Sequence, residues 1–303
     1  MNLLEIFRKR VAGAAASPFG HAPFPLADTL DYPGDPGLCG PGSITWELLA
    51  DVSSFIGGIR ALVIQAAHPE VAAGVRDHSR YREDPMGRLS RTSNYVTASS
   101  FGAMPEVEHA IALVRHAHSP VRGTSHRGVA YSAGGPKFAA WVHNALTDGF
   151  LVSYQHFGPR KLTPEEADRF VLEQTRIGAL LDAEPMPTTA HELSRWIEDH
   201  PALGDSPGRK EAVQFLRRPP LPPLTRIAYW IMFAAATATI PKRLRKILRI
   251  HRMPGAITAG RLFIAFLRWA MGMSPAWKLS LMRMGEPIPE GVFKQEPRVS
   301  IER

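Results

Sequence analysis

The sequence predicts an all-α fold, and three observations lead to that prediction. Apolar residues recur every three or four positions along several stretches, which is the spacing of one face of an α-helix. Capping side chains such as Ser43, Thr163 and Thr189 precede these stretches. The alternating strand and helix patterns of nucleotide-binding α/β proteins are missing from the sequence. With 303 residues, of which 45% are hydrophobic and 21% charged, the chain can form one large helical domain or two small ones.

The N-terminal region predicts a helix followed by an arm. Residues 1–14 have apolar residues before the basic residues 8–10, which is the reverse of a secretory signal, so we expect a short amphipathic helix. Residues 15–42 contain prolines and glycines throughout and should form an irregular arm. Cys39 is the only cysteine, so the chain has no internal disulfide, and we expect a reducing compartment such as the cytoplasm.

A long helix capped by Ser43 is expected over residues 43–67. Gly57 and Gly58 have no side chains, so a neighbouring helix or a flat ring can approach this helix closely. Each glycine lowers the stability of the helix by about 1 kcal/mol relative to alanine. His68, which a proline follows, ends this helix and begins the next. We expect His68 to cap or brace the junction; the alternative is that it lines the distal side of a pocket.

Histidines are concentrated in the middle of the chain, and one of them ends an apolar stripe. Eight of the 12 histidines lie between residues 68 and 156. If residues 105–118 form a helix, one stripe consists of Val107, Ile111, Val114 and His118. An imidazole on such a stripe points towards the core, where its nitrogens need a hydrogen bond, a metal ion or a haem iron.

Cations and hydroxyls share one face of the helix expected after Asp84 and Pro85. That face consists of Arg88, Arg91, Thr92 and Tyr95. Such a row can bind carboxylates, including haem propionates, or polarise a ligand bound to iron. The alternative is a solvated surface row. Arg60, on the preceding helix, either reaches a propionate or lies at the surface.

The remainder of the chain predicts further helices. We expect a loop over residues 124–136 and a loose tail over 285–303, with helices between them over 137–154, 163–182, 189–200 and 261–273. His143, on the first of these helices, is expected to be a packed polar residue or a contact of the haem.

Positive charge is concentrated between Arg217 and Arg252, where there are nine Arg or Lys and no acid. Residues 227–240 are uncharged, but a membrane-spanning helix needs about 20 residues. We expect a buried helix followed by a basic amphipathic one. The alternative is peripheral membrane contact through residues 227–252, with apolar residues inserted and basic ones on anionic headgroups. No motif indicates nucleic-acid binding.

Several runs resemble one known family. GPGSITWELLAD (40–51), GGIRALVIQAAHPEVAAGVRDHSRYREDPMGRLSRT (57–92), HSPVRG (118–123), WVH (141–143) and RPPLPPL (218–224) are similar to the MpaB-type oxygenases of DUF2236, which include the latex-clearing, rubber-cleaving oxygenases. The resemblance runs from about residue 35 to about residue 255. It implies a globin-like helical core with one haem b, in which His118 matches the proximal iron ligand and Arg88 and Thr92 match haem-pocket residues.

The resemblance also implies an activity. Rubber-cleaving members have a lysine between that Arg and Thr, whereas this chain has Arg91, which does not readily lose a proton to bind iron. Rubber is therefore not the expected substrate. We expect an oxygenase that uses dioxygen and a hydrophobic, isoprenoid- or lipid-like small molecule. A haem-dependent dehydrogenase or peroxidase-like oxidase, and a non-catalytic haem-binding, membrane-associated protein, are the alternatives.

The expected organisation is one helical domain with two extensions. Residues 1–34 form the N-terminal helix and arm, residues 35–284 the haem-binding catalytic domain, and residues 285–303 the tail. A di-iron carboxylate site is not expected, because Glu106 and His109 form only one of the two Glu-x-x-His motifs that such a site needs.

Overall fold

Helices account for most of the chain, which confirms the all-α prediction. The structure, a computed structural model, describes residues 2–297. The α-helices of that region are α1 (Leu3–Ala16), α2 (Ile44–Ala50), α3 (Ser54–Gln65), α4 (Pro69–His78), α5 (Pro85–Phe101), α6 (Met104–His118), α7 (Pro136–Phe157), α8 (Pro164–Ala179), α9 (Ala190–Asp199), α10 (Pro207–Arg217), α11 (Pro223–Ala238), α12 (Lys242–Leu248), α13 (Ala256–Met271) and α14 (Pro275–Met284). Two short strands, β1 (Arg122–Thr124) and β2 (Ala130–Ser132), form an antiparallel pair.

The chain divides into two compact units. The first consists of the described parts of Met1–Val52, Arg80–Val114 and Ala265–Arg303, and the second of Ser53–Ser79 and Arg115–Ile264. The predicted domain boundaries after residues 34 and 284 remain predictions, and the last six residues of the predicted tail lie outside the described residues.

Buried polar contacts hold the first unit together. The indole of Trp46, which is 1% exposed, donates from Nε1 to the carbonyl of Ser100 at 2.7 Å. The hydroxyl of Ser280 on α14 donates to the carbonyl of Phe101 at 2.7 Å. Because these donors and acceptors are buried, each bond avoids the free-energy penalty of an unpaired polar group.

The expected single helix over residues 43–67 is wrong: the structure contains two helices, α2 and α3. Ser43 does cap α2, since its hydroxyl accepts from the amide of Trp46 at 3.2 Å. The backbone leaves the helical conformation at Asp51 (ψ 141°). The carboxylate of Asp51 is fully buried and accepts from Arg268 Nε at 2.6 Å and Nη2 at 2.9 Å, so this ion pair favours the break.

The second unit is centred on the packing of α3 against α7. Gly57 and Gly149 lie where the two helices meet, because a Cβ on Gly149 would be only 2.6 Å from the carbonyl oxygen of Gly57. The backbone carbonyl of Gln65, at the end of α3, accepts from the Trp141 indole at 3.3 Å. The side-chain amide of Gln65 donates to the carbonyl of Val142 at 3.1 Å. The glycine pair expected to admit a neighbour therefore does admit a helix, through Gly57.

The loop, the helix starts and the number of helices can be compared with the expectations from the sequence. The expected loop over 124–136 is partly wrong, because its first residue and residues 130–132 pair within a small hairpin. The reciprocal capping boxes of Thr163 with Glu166 and of Thr189 with Glu192 are both present. Helices α10 and α14 were not expected from the sequence.

The basic segment forms α11 and α12, and the second of these packs into the protein. Leu244 and Leu248 of α12 are fully buried. Arg243 of α12 forms an ion pair with Asp199 at 3.2 Å, and Arg249, which follows the helix, forms one with Asp205 at 2.6 Å. This confirms the expected basic amphipathic helix. The expected buried helix before it is wrong for the first half of α11, where Ile227 and Trp230 are exposed, and right for the second half from Phe233. Within residues 2–297, none of the helices is both long and apolar enough to cross a bilayer.

Candidate functional site

The face of α5 that carries Arg88 begins at a well-defined cap. Asp84 Oδ1 accepts from the amide of Gly87 at 2.9 Å, and Pro85 occupies the first turn. The helix therefore begins where the sequence predicts. Its periodicity places Arg88, Thr92 and Tyr95 on one side.

Within the described residues, Arg88 has no carboxylate partner and the Tyr95 hydroxyl has no hydrogen-bond partner. The guanidinium carbon of Arg88 lies 5.8 Å from the ring centroid of Tyr81, and none of the carboxylates of the described chain pairs with it. Burial lowers the pKa of Arg88. The hydroxyl of Tyr95 is buried and has no hydrogen-bond partner among residues 2–297, and burial raises its pKa. A half-buried cation without an anion and a buried hydroxyl without an acceptor favour binding of a carboxylate.

Arg91 and Thr92 are more exposed than Arg88. Arg91 Nη1 lies 3.2 Å from Asp84 Oδ2, in an exposed ion pair at the helix start. The hydroxyl of Thr92 donates to the carbonyl of Arg88 at 3.0 Å, one turn back along the same helix. Both side chains therefore have partners within α5.

His118 is the last residue of α6, and the stripe that leads to it becomes less buried along the helix. Val107 is fully buried and Ile111 is 7% exposed, whereas Val114 and His118 are half-buried. His109 and His116, which lie on another side of this helix, are exposed. His118 therefore ends the helix at a position that is neither fully buried nor fully exposed.

Arg60 is not a surface residue, so that alternative is wrong. It is 2% exposed, and its Nη1 donates to Asp148 of α7, which is 4% exposed. The Nε of Arg60 is buried and has no hydrogen-bond partner within the described chain. Asp148 was not identified from the sequence, because it lies 88 positions further along and nothing local marks it as a partner.

His143 is a packed polar residue on α7. It is 5% exposed, and its Nε2 donates to the carbonyl of Gln174 on α8 at 2.9 Å. Burial lowers its pKa to about 4, so the ring is neutral at pH 7. The close approach of α8 at Gly178, whose Cβ would lie 3.1 Å from His143 Cδ2, holds the ring in place.

His68 is also buried. Its side chain makes no capping hydrogen bond to α4, so the prediction that it caps this helix is wrong. The ring instead packs against other rings and braces the junction between α3 and α4. Its ring centroid lies 5.5 Å from that of Trp141 and 5.3 Å from that of His200. Burial, followed by the proximity of His200, lowers its pKa to about 4. Its Nδ1 is 3.3 Å from Glu70 Oε2 without hydrogen-bond geometry.

Glu70 beside His68 is held by other donors. Arg127 Nη2 lies 2.6 Å from Glu70 Oε2, and the hydroxyl of Ser125 lies 2.8 Å from Oε1. These hydrogen bonds lower the pKa of Glu70 against the opposing effect of burial. The carboxylate is consequently fixed, and it is not available as a ligand.

Two features of the described residues are of the kind that a haem uses, and each belongs to its own unit. Within residues 2–297, no group of three or more His, Cys, Asp or Glu side chains converges on one point. A haem needs one axial imidazole from the protein and donors for its propionates. In the second unit, His118 supplies a half-buried imidazole. In the first unit, Arg88 supplies a guanidinium, and the Tyr95 hydroxyl has no hydrogen-bond partner within residues 2–297.

Comparison with known proteins gives one match. The family model described as ER-bound oxygenase mpaB/B'/Rubber oxygenase, catalytic domain, matches residues 46–269, which is most of the chain. Comparisons with curated proteins and with solved structures give no match. The resemblance seen in the sequence motifs is confirmed, and with it the assignment as an oxygenase. The chain belongs to the family of mpaB and rubber oxygenase catalytic domains.

Proposed function

We propose that this chain is a haem b-dependent oxygenase that uses dioxygen to oxidise a hydrophobic, isoprenoid- or lipid-like small molecule. The observation that carries the proposal is the family match over residues 46–269. The Arg88 guanidinium, which has no carboxylate partner within residues 2–297, and the buried Tyr95 hydroxyl support it, because a cofactor with two carboxylates can accept from both.

His118 is the proposed iron ligand. A neutral imidazole is the usual protein ligand of haem iron, and the last turn of α6 leaves its ring half-buried. When bound, the haem supplies the iron that binds and activates dioxygen. The protein then has to hold the cofactor, orient the substrate and keep the site apolar.

Arg88, Arg91 and Thr92 are the proposed polar residues of the pocket. Arg88 would bind a propionate through a charge-assisted hydrogen bond, with Tyr95 as a second donor. Arg91 is held by Asp84, and its guanidinium would polarise a bound ligand. Thr92 would reorient its hydroxyl from the Arg88 carbonyl towards that ligand.

Arg60, His68 and His143 are proposed as supporting contacts. Each already has packing or hydrogen-bond partners in the second unit: Asp148 for Arg60, Trp141 for His68 and Gln174 for His143. We therefore assign to these three residues the role of positioning α3, α4 and α7. If His118 does not bind the iron, His68 and His143 are the next candidates for the ligand.

We also propose a cytoplasmic location with peripheral membrane contact through residues 227–252. Ile227 and Trp230 of this segment are 60% and 46% exposed. Apolar side chains exposed to that extent, in a segment without acids, suit the boundary between water and lipid. A hydrophobic substrate would partition into the same boundary.

Isotope labelling tests the reaction class. The purified, haem-loaded chain is incubated under ¹⁸O₂ with isoprenoid and fatty-acyl compounds, and the products are analysed by mass spectrometry. We expect ¹⁸O in the product and loss of turnover in His118→Ala. Oxidation without ¹⁸O would instead indicate a dehydrogenase or peroxidase-like oxidase. Haem binding without turnover of any compound would indicate a non-catalytic haem protein.

A further inference from the structure

A groove of about 350 Å³ between α10 and α12 is lined by basic side chains. Its floor is apolar, formed by Val213 and Leu248. Its rim carries five cations and no acid: Arg209, Lys210, Arg217, Arg218 and Arg249. The whole groove belongs to the second unit.

Two of the five cations share one carboxylate, which balances one of their two charges. Asp205 accepts from Arg209 Nε at 2.8 Å and from Arg249 Nη2 at 2.6 Å. Lys210, Arg217 and Arg218 are exposed, and no carboxylate of the described chain pairs with them. The groove therefore keeps an excess of positive charge and is complementary to an anion.

An exposed apolar strip lies on α11, which packs against α10. It consists of Leu224, Ile227 and Trp230, which are 83%, 60% and 46% exposed and recur every three residues on α11. The hydroxyl of Tyr229 donates to the carbonyl of Leu216 at 2.7 Å, which fixes α11 against the last turn of α10 and leaves the strip exposed. Arg226, also exposed, adds a further cation on the same helix.

We propose that the groove and the strip together form a docking site for an anionic phospholipid bilayer. The phosphate of a headgroup would bind between Arg217 and Arg218, while Leu224, Ile227 and Trp230 insert among the acyl chains. A dissolved phosphate would account for the cations but not for the strip. The inference rests on the peripheral membrane contact proposed above. It places that contact on α10 and the start of α11 rather than on α12, because the apolar side of α12 is buried.

Vesicle flotation of the full chain tests the charge requirement. We expect binding to vesicles of equimolar phosphatidylcholine and phosphatidylglycerol, weaker binding at high salt, and little binding to phosphatidylcholine alone. Arg217→Glu with Arg218→Glu should weaken binding at least about 30-fold. The control, Lys137→Glu with Lys161→Glu, makes the same change of charge at exposed positions on other elements and should retain binding.

The strip is tested by Leu224→Ser with Ile227→Ser, which changes only exposed side chains. We expect weaker flotation of this variant with an unchanged circular dichroism spectrum. Brominated acyl chains should quench Trp230 in the parent chain, and Trp230→Phe should remove that quenching. Full binding by the strip variant, together with binding of inorganic phosphate in the groove, would indicate a soluble anion site and overturn the proposal. Equal binding by the Arg217→Glu, Arg218→Glu chain would overturn it too.

The same variants separate this proposal from the proposed function. Flotation needs no haem, and the haem absorption of each variant is read independently. Loss of flotation with normal haem binding supports the docking site, whereas flotation without haem binding would leave the docking site intact and contradict the haem oxygenase.

Discussion

Arg60 lies in the interior of the second unit and forms an ion pair with Asp148. Both residues are less than 5% exposed. Removing two charges from water has a large free-energy penalty, which their mutual attraction repays only while both partners are present. The pair therefore couples α3 to α7, and we expect each partner to be needed for stability as long as the other is charged.

Substituting one partner should destabilise the fold strongly. Asp148→Asn leaves a buried guanidinium uncompensated, and we expect the free energy of unfolding in urea to fall by about 3–5 kcal/mol. The double variant Arg60→Met, Asp148→Leu should lose less than either single variant. The control is the exposed Arg195 and Asp199 pair, where Arg195→Ala should change stability by at most about 1 kcal/mol. Additive losses in the double variant would contradict the coupling.

The buried histidines predict how stability depends on pH. The folded-state pKa of His68 and of His143 is about 4, against 6.5 for an unperturbed imidazole. Between these values the unfolded chain binds protons that the folded chain does not, so stability is full above pH 6.5 and is lost as the pH falls towards 4. The loss should be on the order of 3 kcal/mol per histidine.

Urea unfolding at neutral and acidic pH measures this effect. His143→Gln retains a donor for the Gln174 carbonyl but cannot titrate, so its stability should fall less than that of the parent chain on acidification. His116→Gln, on an exposed ring, should behave like the parent. An identical acid dependence in all three chains would show that His143 does not bind a proton on unfolding.

At the scale of elements, the packing of α3 against α7 depends on two glycines. We expect Gly149→Ala to lower the free energy of unfolding by several kcal/mol, because the new methyl group would meet the backbone carbonyl of Gly57 and the helices would have to separate. Gly58→Ala is the matched control: nothing lies within 4 Å of its Cβ position, and the helix gains about 1 kcal/mol in propensity. Equal stability of the two variants would contradict this packing.

Sequence reasoning succeeded for elements whose signals are local. The caps at Asp84, Thr163 and Thr189 involve residues three positions apart, so the helix starts could be predicted. The break after α2 could not, because it depends on Arg268, which lies 217 positions from Asp51. The short hairpin lacks the alternating apolar pattern that predicts strands, since its residues are mostly exposed.

At the scale of the whole molecule, the sequence indicates candidate residues but not what surrounds them. Helical periodicity alone leads to His118 and the Arg88 face, which stay predictions, because a stripe on a helix is a local property. The residues that surround the other candidates, including Asp148, Gln174 and His200, come from distant positions. Their roles as ion-pair, hydrogen-bond and packing partners follow only from tertiary structure.

The charge of the molecule was also predicted only in part. The excess of basic residues between Arg217 and Arg252 is visible in the sequence. The sequence does not show which cations are neutralised. The structure pairs Arg243 and Arg249 with acids from outside the segment, and it leaves Arg217 and Arg218 exposed beside the apolar strip of α11.

The absorption spectrum of the purified chain, reconstituted with haem, tests the central claim most directly. We predict a Soret band with about one haem per chain, loss of most of it in His118→Ala, and retention in the control His116→Ala, which changes an exposed histidine of the same helix. An unchanged Soret band in His118→Ala would move the iron ligand elsewhere. The absence of a Soret band in the parent chain would contradict the haem oxygenase itself.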